Sequence, residues 1–364
     1  MILTPKPGVL DIAPYVGGRA SVAGVADPIK LSSNESALGA SPNALKAYED
    51  AVKSVSIYPE GSAQILREAI GETYGLDPSR IVCGNGSNEL LTLLANAYLR
   101  PGDEVLFSEY AFLVYRLAAL SNSGVPVSAP EKNLRVDVDA MLARVSPKTR
   151  LVYLANPNNP TGTYLTSDEV RRLHAGLRPD TLLVIDAAYA EYVRMSDYEN
   201  GMDMAARLPN VVMTRTFSKV YGLAGLRIGW AYCPAPVADV LHRVRDPFNV
   251  SIAAQCAAAA ALRDKDHVGR CVEHNERWRA WLTDAIRKTG LVVVDSVGNF
   301  VLIRFPSASG KTAAEADRFL CERGLILRAV ANYGLPDCLR LTVGPESANR
   351  KVAAALGEFM ARAT

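Results

Sequence analysis

From about residue 80 the sequence alternates between two patterns, and this alternation narrows the fold more than anything else in the chain. Short runs are almost continuously apolar or β-branched: Ile81–Cys83, Glu104–Phe107, Leu151–Leu154, Leu182–Ile185 and Val211–Thr214. Between them lie longer segments, such as Asn88–Leu99 and Ser167–Leu177, where apolar residues return every three or four positions, the spacing of a helix with one buried face. A strand with no polar face has to be covered on both sides. Helices alternating with such strands supply the cover, so the pattern predicts an α/β fold on a mostly parallel sheet. Pro101-Gly102-Asp103, Pro157–Gly162 and Pro234-Ala235-Pro236 mark turns at the joints.

The rhythm changes after an alanine-rich helical run at Ala253–Leu262 and a charged helical stretch at His267–Thr289. Strand patterns at Val292–Val294, Phe300–Ile303 and Leu339–Val343 then surround a helical pattern at Ala313–Arg323, which reads as α+β. This divides the chain into an N-terminal arm of residues 1–30, a large domain of residues 31–252 and a smaller domain of residues 253–364. A length of 364 residues accommodates two domains at roughly 150 residues each. The 40 Lys+Arg and 38 Asp+Glu nearly balance and form no basic block, so there is no electrostatic footprint for nucleic acid or an anionic membrane. The opening residues lack the apolar core of a signal peptide, and the Ala253–Leu262 run is too short to span a bilayer; a cytoplasmic location is expected. Six cysteines without a C-x-x-C pair and four histidines without ligand spacing predict neither a disulfide framework nor a metal site.

In an open α/β sheet, chemistry gathers where strands end. Ile81–Cys83 runs into Gly84-Asn85-Gly86-Ser87-Asn88, whose free N–H groups at a helix start suit a phosphate; a plain tight turn accounts for the glycines equally well. Glu89 stands where a dinucleotide fingerprint would have its third glycine. The Pro157–Gly162 turn contains Asn159, though its prolines and glycine would also be explained by backbone geometry alone. Leu182–Ile185 ends on Asp186, with Tyr189 close behind; this carboxylate is either a helix cap or a buried acid in need of a cation or strong donor. Val211–Thr214 leads into RTFSKVYGLAGLRIGW, where the hydroxyls of Thr216 and Ser218 and the cation of Arg227 could hold a phosphate. Lys219, followed by seven apolar, aromatic or glycine residues, is placed for a lowered pKa and for service as an amine nucleophile. A phosphate cup, a buried acid, a hydrogen-bonding Asn and Tyr and a desolvated lysine are together what pyridoxal phosphate requires.

Seven motifs extend this reading over nearly the whole chain: LSSNES with SP downstream (Leu31–Pro42), YPEG (Tyr58–Gly61), GNGSNELL, NPNNPTG, DAAYAEY, TFSKVYGLAGLRIGW and CLRLTVG. Together they resemble the fold type I pyridoxal-phosphate aminotransferases of the aspartate aminotransferase superfamily and, within it, the histidinol-phosphate aminotransferases. The resemblance implies a large domain with a mostly parallel seven-stranded sheet between helices, a small α+β C-terminal domain and a homodimer. It implies that Lys219 forms the Schiff base, that Asp186 pairs with the pyridine nitrogen, and that Asn159 and Tyr189 hydrogen-bond the ring's phenolic oxygen. Phe112 would stack on the ring, and Gly86, Ser87, Asn88, Thr216, Ser218 and Arg227 would surround the phosphate. Tyr58 would reach the phosphate of the neighbouring subunit. Arg340 would grip the substrate's carboxylate or phosphate, helped by Arg328 and Tyr15. Asn88 departs from the family pattern, which commonly has an acid there.

The implied reaction is transamination of L-histidinol phosphate with 2-oxoglutarate, giving imidazole-acetol phosphate and glutamate in histidine biosynthesis. An aromatic or other amino-acid aminotransferase of the same subgroup is the alternative, because specificity resides in pockets that motifs do not spell out. A nucleotide-dependent dehydrogenase would leave Lys219 without a role, and a non-catalytic relative would not need the full residue set.

Overall fold

The apolar runs pair as one sheet. A computed structural model describes residues 3–14 and 17–362. Seven strands lie in the order Ile81–Gly84, Gly229–Tyr232, Val211–Thr216, Leu182–Asp186, Thr149–Ala155, Glu104–Ser108, Val125–Ala129. Neighbours are parallel except at Gly229–Tyr232, which runs antiparallel to both strands beside it. The apolar-run pattern does not single out two of these strands. Gly229–Tyr232 follows directly on the glycine-dotted lysine segment, and Val125–Ala129 contains Pro126, which an edge strand tolerates because one side of it needs no ladder hydrogen bonds.

Strand alternation splits the buried residues between two cores. Ile81, Leu106, Val152, Ile185 and Met213 belong to one cluster, while their neighbours Val82, Val105, Leu151, Val184 and Val212 belong to the other. Helix Ser87–Tyr98 covers the second face through Leu90, Leu91 and Leu94. Helix Ser167–Ala175 covers the first through Val170 and Leu173; its start is fixed by a reciprocal cap between Thr166 and Glu169.

A second, antiparallel sheet takes the order Val292–Val294, Phe300–Arg304, Cys338–Thr342, Arg328–Ala329. Its core includes Phe319 and Leu320 of helix Ala313–Glu322 and Val352, Leu356 and Phe359 of helix Glu346–Ala361. The chain's start also joins this unit: Ile29–Lys30 pairs in parallel with Leu325–Ile326, and Leu31 is buried in the same core.

The expected domain boundary at Ala253 falls inside a helix. Helix Ile252–Arg263 packs on helices Pro42–Val52 and Gln64–Tyr74, and its buried alanines belong to the larger core. Alanine gives a helix a close-packing face without saying which partner it meets. Helix Lys265–Arg287 reaches both cores: its Cys271 and Val272 join the larger while Trp278, Leu282 and Ile286 join the smaller. Among the described residues no helix is long and apolar enough to cross a membrane, and no group of three or more side chains could hold a metal ion.

Candidate active site

Three carboxyl strand ends and the turn after Ile81–Gly84 converge on a cavity of about 260 Å³ between the two sheets. Of the residues singled out from the sequence, Ser87, Asn88, Phe112, Asn159, Asp186, Tyr189, Thr216, Ser218, Lys219, Arg227, Arg328 and Arg340 line it. Gly86 sits against it through Arg227. Tyr58 does not line the cavity of its own chain: it is 80% exposed, with its ring stacked 4.7 Å from that of Phe248. Tyr15 lies outside the described residues.

At one end the N-terminus of helix Ser87–Tyr98 meets a cluster of donors. Thr216 Oγ1 donates to Ser218 Oγ at 3.0 Å, and Arg227 Nη1 donates to the same oxygen at 3.3 Å. Two glycines make this approach possible. Gly86 has φ +80°, and any Cβ there would collide with the Arg227 guanidinium. A Cβ on Gly229 would strike the backbone N of Ser87, so the antiparallel strand can bring Thr216 beside the turn only with glycine at that position. The glycine-rich turn is tied from beneath by Glu89, whose carboxylate accepts from Asn85 N–H and from Asn249 Nδ2. The place of a third fingerprint glycine is thus occupied by a side chain that shapes the turn.

The floor of the cavity is Asp186. It is buried, and it accepts from Tyr115 Oη at 2.9 Å and from Thr214 Oγ1 at 3.1 Å. Burial pushes its carboxyl up to about 6, against the lowering by those two hydroxyls and by Lys219. Lys219 Nζ donates to the Ser33 carbonyl at 3.2 Å and stands 5.6 Å from the Tyr189 ring centre. Burial brings its amine down to about 7; the cations of Arg340 and Arg227 lower it further, while Glu35 and Asp186 oppose them. Tyr189 Oη accepts from Asn34 Nδ2 at 2.9 Å. At the opposite wall Arg340 donates to Asn159 Oδ1 and, at 2.8 Å, to the Ser32 carbonyl. The smaller sheet thereby reaches the NPNNPTG loop of the larger domain.

A family model for class I and II aminotransferases matches residues 26–356. The chain is 56% identical to the histidinol-phosphate aminotransferase of Nitrobacter hamburgensis and 55% identical to that of Rhodopseudomonas palustris strain BisB18, in both cases over 98% of each chain. The chain belongs to the histidinol-phosphate aminotransferase family. Among solved structures it is similar to the Sinorhizobium meliloti histidinol-phosphate aminotransferase in complex with pyridoxal 5'-phosphate, with a TM-score of 0.89 and 29% identity over 98% of this chain and 97% of that one.

The residues of this aminotransferase fit that cofactor. The helix N-terminus, three hydroxyls and a guanidinium form a seat for a phosphate dianion. The room that Gly86 leaves is filled by Arg227, and a buried acid faces the same space as a desolvated amine. Three contributors escape a reading of the sequence. Tyr115 and Thr214 orient Asp186, and Asn34 orients Tyr189, from positions 71, 28 and 155 residues away. Tyr115 stands three residues after Phe112, in the first turn of helix Val114–Ser121.

The Lys219 amine also carries a pH signature. Its pKa falls from 10.5 when unfolded to about 7 when folded, so the unfolded chain binds more protons between those values. The penalty for burying the amine is therefore full below about pH 7 and fades as pH rises toward 10. At about 1.4 kcal/mol per unit this amounts to several kcal/mol as an order of magnitude. In the cofactor-free protein, Lys219→Met should raise stability markedly at pH 7 and hardly at all near pH 10. Urea unfolding at the two pH values checks it, and equal effects at both would contradict the depressed amine.

Proposed function

We propose that this aminotransferase moves the amino group of L-histidinol phosphate to 2-oxoglutarate, giving imidazole-acetol phosphate and glutamate, with pyridoxal phosphate as its cofactor. The observation that carries the reading is a desolvated amine on half-buried Lys219, in one cavity with a buried acid and a phosphate seat. The names of the relatives supply the substrate. Arg328 and Arg340 agree with it, because a phosphate ester and a dicarboxylate both call for guanidinium recognition.

Pyridoxal phosphate, when bound, supplies an aldehyde that takes up amines and a pyridine ring that withdraws electrons from the substrate's Cα. Thr216, Ser218, Arg227 and the Ser87 end of the helix hold its phosphate, and Lys219 Nζ is the amine that would hold it covalently. Asp186 would keep a proton at the pyridine nitrogen, its own position fixed by Tyr115 and Thr214. Tyr189 and Asn159, which line the same cavity, would orient the ring. Lys219, partly neutral near pH 7, moves the proton from the substrate's Cα, a positioned transfer worth roughly 10²–10⁴-fold. Arg340 binds the anionic end of each substrate, and Phe112 closes the side of the cavity.

The test is a spectrum of the purified holoenzyme, followed on adding histidinol phosphate and, separately, phenylalanine. Faster loss of the visible band with histidinol phosphate is the expected result. Faster loss with phenylalanine would move the enzyme to aromatic donors, and no band after added cofactor would overturn the cofactor itself.

The reading extends to a cytoplasmic homodimer in which Tyr58 completes the neighbouring phosphate seat. The exposure of Tyr58, in company with Val55, Ile57 and Phe248, supports it, since large exposed apolar groups gathered together mark contact surfaces. Tyr58→Phe should weaken cofactor retention by about tenfold, the worth of one hydrogen bond to a charged group. Equilibrium dialysis measures it, and unchanged retention would sever Tyr58 from the site.

A further inference from the structure

Behind the cavity, on the opposite face of the same strand, lies a buried ion pair that touches none of the site's own surface. Thr214 and Thr216 point toward the site, the first to Asp186 and the second into the phosphate seat. Arg215 between them points the other way, as strand alternation requires. Its Nη1 donates to Glu191 Oε1 at 3.1 Å, and the two side chains are only 5% and 8% exposed. Glu191 belongs to the short turn Ala190–Tyr192, two residues past Tyr189. The Arg215 guanidinium also lies 5.0 Å from the ring centre of Tyr74, whose hydroxyl shares a 2.7 Å hydrogen bond with that of Tyr221, two residues past Lys219.

The pair is not optimised for stability. Arg215 Nε and Glu191 Oε2 are both buried without a hydrogen-bond partner. Burying two charges and leaving part of each unsatisfied is a poor way to hold a core together, since apolar side chains of similar volume serve at least as well. What the pair does supply is a fixed distance. It joins the segment that presents Asp186 and Tyr189 to the one that presents Thr216, Ser218 and Lys219, from the side where neither segment is held by site residues.

We propose that Arg215 and Glu191 are positioning residues, whose buried ion pair sets the place of the Lys219 amine relative to Asp186 and Tyr189. The proposal rests on the aminotransferase reading above and adds to it two residues outside the cavity. Catalysis that depends on near-attack geometry loses rate steeply for small displacements. A purely structural pair would instead register in stability.

The double variant Glu191→Leu with Arg215→Met separates the two, because it replaces the charges by apolar groups and leaves neither one stranded. Expected are a melting temperature no lower than wild type, kcat reduced at least about tenfold and KM for the amino donor changed less than about threefold. A double variant with wild-type kcat overturns the proposal. If that variant does not fold, Arg215→Lys keeps the charge but lacks the planar fork, and the same loss of kcat is expected of it; wild-type kcat there overturns the proposal equally. A second readout needs no transamination. In the cofactor-free protein, the pH dependence of Lys219 modification by an amine-selective reagent, read by mass spectrometry, should shift its midpoint by about half a unit or more in the variant. An unmoved midpoint overturns the proposal. Wild-type protein that transaminates no donor would instead count against the functional reading and leave this second readout to decide.

Discussion

Lys219→Ala should abolish transamination, with kcat reduced about 10⁴-fold or more, while the fold persists. The loss follows from position. The amine is the one lysine among the cavity's lining residues, and burial has already brought it into the range where it exchanges protons at neutral pH. In the proposed reaction alanine would remove both the covalent anchor and the base for the Cα proton. Arg227, which shares the cavity, has no amine with which to take over the covalent role. Stability should not fall, because the substitution deletes a buried group that is costly to charge. Steady-state kinetics with histidinol phosphate, alongside thermal melting, checks both halves of the expectation; measurable turnover in a well-folded variant would displace Lys219 from its role.

Asp186→Asn should cost about 10²–10³-fold in kcat, the scale of losing one preorganised electrostatic partner in a buried site. Asparagine has nearly the same shape, so the cavity and its wall survive. What disappears is the negative charge that, in the proposed reaction, would keep a proton on the pyridine nitrogen. Burial holds the carboxyl near 6 in the protein alone, so a cationic ring beside it would favour the ionised form. Tyr115 and Thr214 donate to different oxygens of Asp186, so the amide oxygen can accept from only one of them, and the NH₂ faces the other, whose hydroxyl must turn to accept. Relief from burying a charge offsets that mismatch, so the melting temperature should change little. The KM for the amino donor should move less than kcat, since Asp186 does not face the substrate's anionic end. A variant with full kcat would mean that the ring nitrogen needs no partner here.

Some of this site can be read along the chain because catalytic groups in such a sheet follow strands, and strands announce themselves by apolar runs. Asp186, Asn159 and Lys219 each come just after one. What the chain does not reveal is how those groups are held. Asn34 steadies Tyr189 from 155 residues away, and the Ser33 carbonyl meets Lys219 from 186 residues away. Such pairings exist only once both sheets have formed. Glu191 illustrates the same limit within a motif that was recognised: DAAYAEY draws notice to its aspartate and tyrosine, but the glutamate matters only through Arg215 on the next strand. The border between the domains was obscure for a different reason, since alanine-rich helices pack on whatever surface is offered.

The pairing of Ile29–Lys30 with Leu325–Ile326 bears on how the enzyme is made. The seven strands that carry Asp186 and Lys219 are all synthesised by residue 232, whereas the segment bearing Ser33 and Asn34 must wait for a partner almost three hundred residues further on. A nascent chain therefore builds its shelf of reactive groups first and its roof last. Competence waits for residues 325–326, so a product truncated before them would carry the lysine and the acid without the neighbours that put them to use.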